Sequence, residues 1–312
     1  MQDHWAIVGA GIAGIAAARR LAAAGRRVTL LDKSRGIGGR MATRRVGDLQ
    51  FDHGAQFVTA RGEIFSAALA GLEAQGHAAP WAGQGHVGTP GMSALPKGLA
   101  AGLDVVGNQE IRALARSADG WTLSTADGPV AVEGNGGFAG VVLAVPAPQA
   151  APLAASAGAI WPGLGRVRYA PCWALMLAFD QGAVDVAASL RPSGDAAIGW
   201  IARDDSKPGR LGTRATVVVH ATPAWSRAHL EETQEAVVAQ LLAAFRATTG
   251  ATAEPDYAAA HRWRYALVED ALGEPFLWDG ALGIGACGDW CIGARVEAAF
   301  DSGDALGVAI TG

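Results

Sequence analysis

The sequence predicts an α/β protein: a parallel sheet wound with helices, built from both ends of the chain, with an α+β domain inserted between them. Three observations lead there. A strand–turn–helix–strand unit with regularly spaced glycines opens the chain. Short apolar runs broken by Asp119-Gly120 and Asp127-Gly128 follow in the middle, and an apolar strand with a small-residue helix closes it. The 312 residues suit one large domain or two sharing an interface; half are hydrophobic and 17% charged, so a sizeable core is expected.

In order, His4 to Val8 reads as a buried strand, Ile12 to Ala24 as a helix stopped by Gly25, and Val28 to Leu31 as a second strand. Helices are predicted over 64–75, 92–101, 228–248 and 294–310. Strands are predicted over 141–145, 173–179, 197–202, 215–221 and 282–287, with hairpins between 105 and 145. The expected cofactor domain takes residues 1–61, 98–150 and 280–312; the expected substrate domain takes 62–97 and 151–279.

The net charge is −4 and the basic residues are scattered, which argues against a nucleic-acid partner or an anionic membrane surface. No run of eighteen apolar residues occurs, so no membrane span is expected. The apolar run Trp5 to Ala18 lacks a basic lead and reads as fold, not as a secretion signal. Three cysteines cannot make a disulfide framework, which points to a reducing cytoplasm, and the seven histidines show no metal-binding spacing.

The chemistry begins at Gly9-Ala10-Gly11-Ile12-Ala13-Gly14. Lying between a strand and a helix, with Asp32 ending the next strand, it has the context of a Rossmann-type dinucleotide site. Gly9 permits the turn, Gly11 lets backbone approach a pyrophosphate, and Gly14 lets the helix pack on the strand. Asp32 is placed to accept from ribose hydroxyls, with Lys33 beside it. A Gly-rich turn with no ligand is the plainer alternative. The similar run Gly134 to Ala139 precedes a strand and reads as a hairpin loop, so no second dinucleotide domain is expected.

The segment Lys33-Ser34-Arg35-Gly36-Ile37-Gly38-Gly39-Arg40-Met41 resembles the FAD-binding pattern of amine-oxidase and glutathione-reductase-like flavoproteins. In that pattern Arg40 approaches the pyrophosphate, where a guanidinium fork suits two phosphate oxygens. Gly288-Asp289 and the run Arg295-Val296-Glu297 match the third part of the same site, with Asp289 on the ribitol or pyrophosphate and a helix start aimed at the flavin. Glu297 also reads simply as a favourable first-turn charge. Cys287 and Cys291 flank Asp289 and read as buried thiols.

With DKSRGIGGRM, FDHGAQFVTAR, GMSALPKGLA, DDSKPGR, HATPAWSR, AHRWRYA and CGDWCIGARVEAAFDSG in place, the chain resembles the bacterial renalase-like oxidases of the amine-oxidase superfamily. The resemblance implies a non-covalent FAD, a substrate that is an isomeric dihydronicotinamide dinucleotide, and O2 as the final acceptor, giving hydrogen peroxide. It places Gln56 and Phe57 near the isoalloxazine, and Phe57, Thr59 and Arg61 toward the substrate. The segment Pro80 to Gly91 is shorter than its family counterpart, which puts substrate identity in question more than flavin binding.

Trp263, Tyr265 and Trp290 are candidate pocket aromatics, with core packing the alternative for each. Arg61 reads as a phosphate contact or a surface charge, and His261 as a site residue or a satisfied strand histidine. The superfamily's amine oxidases often use a lysine near the flavin. Of Lys33, Lys97 and Lys207, the last sits in a Ser-Lys-Pro-Gly turn that reads as exposed. An oxidase for amines or other small donors, and a non-catalytic dinucleotide-binding protein, stand as the rival readings.

Overall fold

A computed structural model describes residues 3–131, 136–193, 197–210 and 212–312. Strands His4–Val8 and Arg27–Leu31 and helix Ile12–Ala23 form the opening unit. The two strands lie inside a six-stranded sheet of order Leu277–Asp279, Ile284–Ala286, Gly140–Leu143, His4–Val8, Arg27–Leu31, Asp104–Val106. Every pair is parallel except the outermost, where Leu277–Asp279 runs antiparallel. Ala6, Ile7, Val141, Val142, Leu143 and Ile284 are wholly buried. Cover on both faces is the reason such strands read as unbroken apolar runs.

One face is closed by the first helix and the last, Val296–Thr311. A methyl at Gly303 would overlap the carbonyl of Ala13, and one at Gly307 would press on the Arg20 side chain. Contacts therefore advance together along the two helices, which run parallel. Arg20 forks onto Asp304 at 2.5 and 3.0 Å beside the seam.

The second sheet is antiparallel throughout: Ser189–Leu190, Ile198–Arg203, Arg214–Ala221, Arg168–Asp180, Tyr257–Asp270. Its fourteen-residue edge strand Tyr257–Asp270 is absent from the sequence reading, apart from the suggestion that His261 is a strand residue. Helix Gln234–Thr249 covers one face with Val237, Leu241 and Phe245. On the other face, register sets Trp200, His220, Ala174 and His261 opposite one another across four strands. That row turns toward the first sheet.

Several boundaries differ from expectation. The helix expected over 228–248 is two, Pro223–Ala228 and Gln234–Thr249, because the Thr233 hydroxyl accepts the Ala236 N–H and starts a new helix. Helix Ala147–Ser156 was not foreseen; its first turn accommodates Pro148, where no intrahelical N–H is required. It straddles the expected boundary at 150 and packs Ala147, Ala150 and Leu153 with the strands of the first sheet, and residues as far as Val167 join the same cluster. Strand Leu277–Asp279, expected in the substrate domain, belongs to the first sheet. Of the second Gly-rich run, 134 and 135 lie outside the described residues, while Phe138 bridges Trp121 and leads into a strand.

Replacing Gly303 by alanine forces the two helices apart. Overpacking of this kind costs about 1–3 kcal/mol. A denaturant melt of Gly303→Ala should show that loss; an unchanged midpoint would contradict the seam described.

Candidate active site

The glycine loop behaves as its spacing requires. Gly9 has φ +104°, and a side chain there would meet the Ala144 carbonyl oxygen at 2.6 Å. Gly14 backs onto the Gly9 carbonyl, leaving no room for a methyl. At Gly11 an added methyl would meet no atom within 4 Å, so this glycine faces open space. Asp32 holds the loop from below: Oδ2 accepts the Ala10 N–H at 2.8 Å and Oδ1 the Ser34 N–H at 2.8 Å. The Gly-Gly-Arg loop leans on the same turn through Gly38 N–H to Ala10 O, 2.9 Å.

Two helix starts are open at this edge. No side chain caps Gly11 or Arg295, and the amides of Ile12, Ala13 and Gly14, and of Val296, Glu297 and Ala298, donate to nothing among the described residues. Gly303 sits seven residues into its helix and Ala13 one residue into its own. At 1.5 Å per residue the last helix therefore begins about 9 Å further out than the first. Two positive dipole ends at two heights along one cleft suit a long, doubly anionic dinucleotide.

The other candidates divide. Ile12 and Ala13 contribute amides, since their side chains are buried in the core. Met41, expected at the cofactor, is 2% exposed and packs its side chain in the same core. Trp290 is likewise core: it is 1% exposed and its indole donates to Val145 O at 3.1 Å. Lys33 is exposed beside Asp32, and Thr59 and Arg61 are exposed on the loop after Phe57. Arg40 forks onto Asp289, with both bonds at 2.7 Å, and adds Ala266 O at 3.1 Å. The two expected phosphate and ribitol ligands thus lie together, 249 residues apart in sequence. Glu297 turns away from its own helix start; Oε1 accepts the Arg61 and Gly62 amides at 2.6 and 2.7 Å. Its carboxylate thereby fastens the helix Glu63–Ala74 to the last helix. Tyr265 packs edge-on against Tyr169 at 5.4 Å.

The turn Asp52 to Phe57 joins the two sheets. Trp263 Nε1–H and His220 Nε2–H both donate to the His53 carbonyl, at 2.9 and 3.2 Å. The Gln56 amide donates to the carbonyls of Asp52 and Gly54, and the Ala55 N–H to Arg40 O at 2.8 Å. Phe57 extends the turn toward Trp200 and Trp81, with ring centres 6.0 and 6.4 Å apart. The hairpin of Ala78–Trp81 and Gly85–Gly88 seats on Val58 through His86.

Beneath the turn lies a charge cluster that the sequence reading missed. Lys207 is buried, against the expectation of an exposed turn: its ammonium bonds Asp204 at 2.6 Å, Gln56 Oε1 at 3.1 Å and Asp52 at 3.3 Å. Arg210 closes on Asp52 as well, and Asp52 further accepts the Thr43 hydroxyl and the Met92 amide. Burial pushes Asp52 up, but Lys207, Arg210 and those bonds outweigh it and hold the carboxyl below its usual range. Burial and the charge of Asp52 push Asp204 the other way.

Three imidazoles meet at the turn. His53 stacks on Trp263 at 5.1 Å and meets His261 edge-on at 4.8 Å, while His220 donates from below. Burial drives His53 down to about 3 and His220 to about 4, and lowers His261, so all three are neutral near pH 7. Among the described residues, no group of three His, Cys, Asp or Glu side chains is placed to hold a metal ion.

A family model described as flavin containing amine oxidoreductase matches residues 71–304, and one described as NAD(P)-binding Rossmann-like domain matches residues 7–69. The chain belongs to the flavin-containing amine oxidoreductase family. It is therefore an FAD-dependent oxidoreductase, and the open helix starts and glycine loop fit that cofactor. Its fold is similar to that of an inferred protoporphyrinogen oxidase from Exiguobacterium sp. 255-15, at TM-score 0.80 and 14% identity, covering 100% of this chain and 99% of that one. Cyclohexylamine oxidase from Brevibacterium oxydans IH-35A aligns at TM-score 0.71 and 13% identity over 100% and 99% of the two chains. Putrescine oxidase bound to putrescine aligns at 0.66 and 16%, over 99% of each. A 4,4'-diapophytoene desaturase of Staphylococcus haemolyticus (strain JCSC1435) is 47% identical over 53 residues, 17% of this chain and 11% of that protein. No helix among the described residues is long and apolar enough to cross a membrane.

The imidazoles set a pH dependence. In the unfolded chain a histidine takes up a proton near pH 6.5. In the fold, His53 and His220 resist protonation down to about 3 and about 4. The unfolded state therefore binds more protons between those limits, and stability falls as pH drops from about 6.5 toward 4. His220→Gln keeps a donor for the His53 carbonyl but cannot be protonated. Melting curves across that window should have a shallower slope for this variant, and an equal slope would refute the assignment.

Proposed function

We propose that this protein is a renalase-like oxidase that removes hydride from isomeric dihydronicotinamide dinucleotides, with O2 as terminal acceptor and hydrogen peroxide as product. The open amides of Ile12, Ala13 and Gly14 would hold the pyrophosphate of FAD, with Gly11 allowing close approach, and Asp32 would receive its ribose. Val296 and Glu297 would present their amides to the flavin ring, and Arg40 and Asp289 would lie along the ribitol and phosphates. When bound, FAD supplies the two-electron acceptor and passes the electrons to oxygen. The attachment is non-covalent in this reading. The three cysteines are buried, and burial raises the thiols of Cys172 and Cys291 to about 12 and that of Cys287 well above its usual value.

One observation carries the choice of donor: the imidazoles facing the turn are neutral. His53, His220 and His261 are uncharged and weakly basic, and the carboxylates of Asp52 and Asp204 are bound to Lys207 and Arg210. Lys207 commits its ammonium to Asp204, Asp52 and Gln56 and has no exposed side-chain surface, so it has no donor left for an amine or a relayed water. An ammonium donor must first lose a proton and would find no free carboxylate here. A dihydropyridine breaks only a C–H bond, so its oxidation needs stacking and exclusion of water more than a base. Trp263, Phe57 and Trp200 supply apolar surface for such a ring.

The family match keeps a second reading in view, an oxidase for amines or other small donors. Anaerobic mixing with isomeric NAD(P)H preparations should bleach the flavin band within a turnover and leave it unaffected by simple amines. Bleaching by amines alone would sink the proposal. Gly11→Ala should fold like the parent, since the methyl meets no protein atom, yet purify with at least tenfold weaker FAD retention. Full flavin occupancy would refute the assigned phosphate loop.

A further inference from the structure

We propose that Lys207 is a positioning residue that, through Gln56, shapes the turn Asp52–Phe57 into a row of hydrogen-bond donors for the flavin. The proposal rests on flavin binding and not on the identity of the donor. The carbonyls of Asp52, His53 and Gly54 are all taken: Gln56 Nε2 donates to the first and third, and Trp263 and His220 to the second. The amides of Gly54, Gln56 and Phe57 donate to nothing among the described residues. A turn whose oxygens are occupied and whose N–H groups are free presents partial positive charge. Reduced flavin carries additional negative charge, and such donors stabilise it more than the oxidised ring.

The orientation of Gln56 decides this arrangement. Its amide could be turned end for end, with oxygen facing the Asp52 and Gly54 carbonyls, and the turn would then be repelled. Lys207 excludes that state. An ammonium can only donate, so the atom at 3.1 Å from Nζ must be Oε1, and both N–H bonds of Gln56 are left for the carbonyls. Asp204 and Asp52 in turn hold Lys207, at 2.6 and 3.3 Å, and Asp204 also receives the Asp52 amide at 3.3 Å. Residues 204–206 form one helical turn, and Lys207 N–H closes it onto Asp204 O at 3.2 Å, which directs the side chain inward.

The test uses the flavin-loaded protein. Lys207→Met alone would leave two buried carboxylates against one cation, so it is paired with Asp204→Asn, which keeps the cluster neutral. Gln56→Leu is the companion variant, because it changes no charge. Both are expected to fold, to hold FAD about tenfold more weakly, the equivalent of roughly one net hydrogen bond, and to show a lowered flavin reduction potential with an altered visible band shape. A purely structural Lys207 would change the melting temperature and leave potential and band shape unmoved. Unchanged potential and spectrum in either folded variant overturns the proposal. If the double variant does not fold, Gln56→Leu decides alone.

Discussion

The contact of Gly303 with the Ala13 carbonyl is the constraint from which the cofactor edge follows. It lets the backbones of the first and last helices touch, fixes their parallel course, and sets how far one begins beyond the other. Chain ends nearly three hundred residues apart in sequence thereby open their unsatisfied amides on the same side of the parallel sheet. A bulkier residue at 303 would change the separation between the two open helix starts. The two helix starts are thus placed by a packing contact that touches neither.

The side of the antiparallel sheet depends on a different element, the turn Asp52–Phe57. It follows the first sheet's opening unit in sequence but is held from elsewhere, by Trp263 and His220 from the antiparallel sheet and by Lys207 from the segment after Arg203. The imidazole row and the turn therefore form one surface, not two walls that meet. Neutrality of that surface comes from burial acting on the histidines and from mutual pairing within the charge cluster. Positive charge is present under the turn, and the carboxylates of Asp52 and Asp204 are paired with it.

Much of the half built on the parallel sheet was legible because its requirements are local. Gly9, Gly11, Gly14 and Asp32 need only a strand, a turn and a helix in order, and the apolar runs at 4–8 and 140–143 mark strands buried on both faces. The half built on the antiparallel sheet was less so. Lys207 follows Asp-Asp-Ser and precedes Pro-Gly, a composition that reads as exposed turn; its burial depends on Asp52, 155 residues earlier, which no spacing rule reports. Trp290 and Met41 sit beside Asp289 and Arg40 yet point into the core, since adjacency in sequence does not fix side-chain direction. The long strand Tyr257–Asp270 alternates through His261, Trp263 and Tyr265, and its charged residues Arg262 and Arg264 obscured the pattern by pairing with Glu231 at the surface.

The ionic knot of Asp52, Asp204, Lys207 and Arg210 has its side chains at or near zero exposure. Mobile ions screen charges across a Debye length of about 8 Å in physiological salt, but only where solvent reaches them. Pairs on the surface, such as Arg227 with Glu269, weaken as salt rises, whereas this knot is shielded by the protein around it. The way one sheet is moored to the other is accordingly insulated from the ionic composition of the surrounding medium.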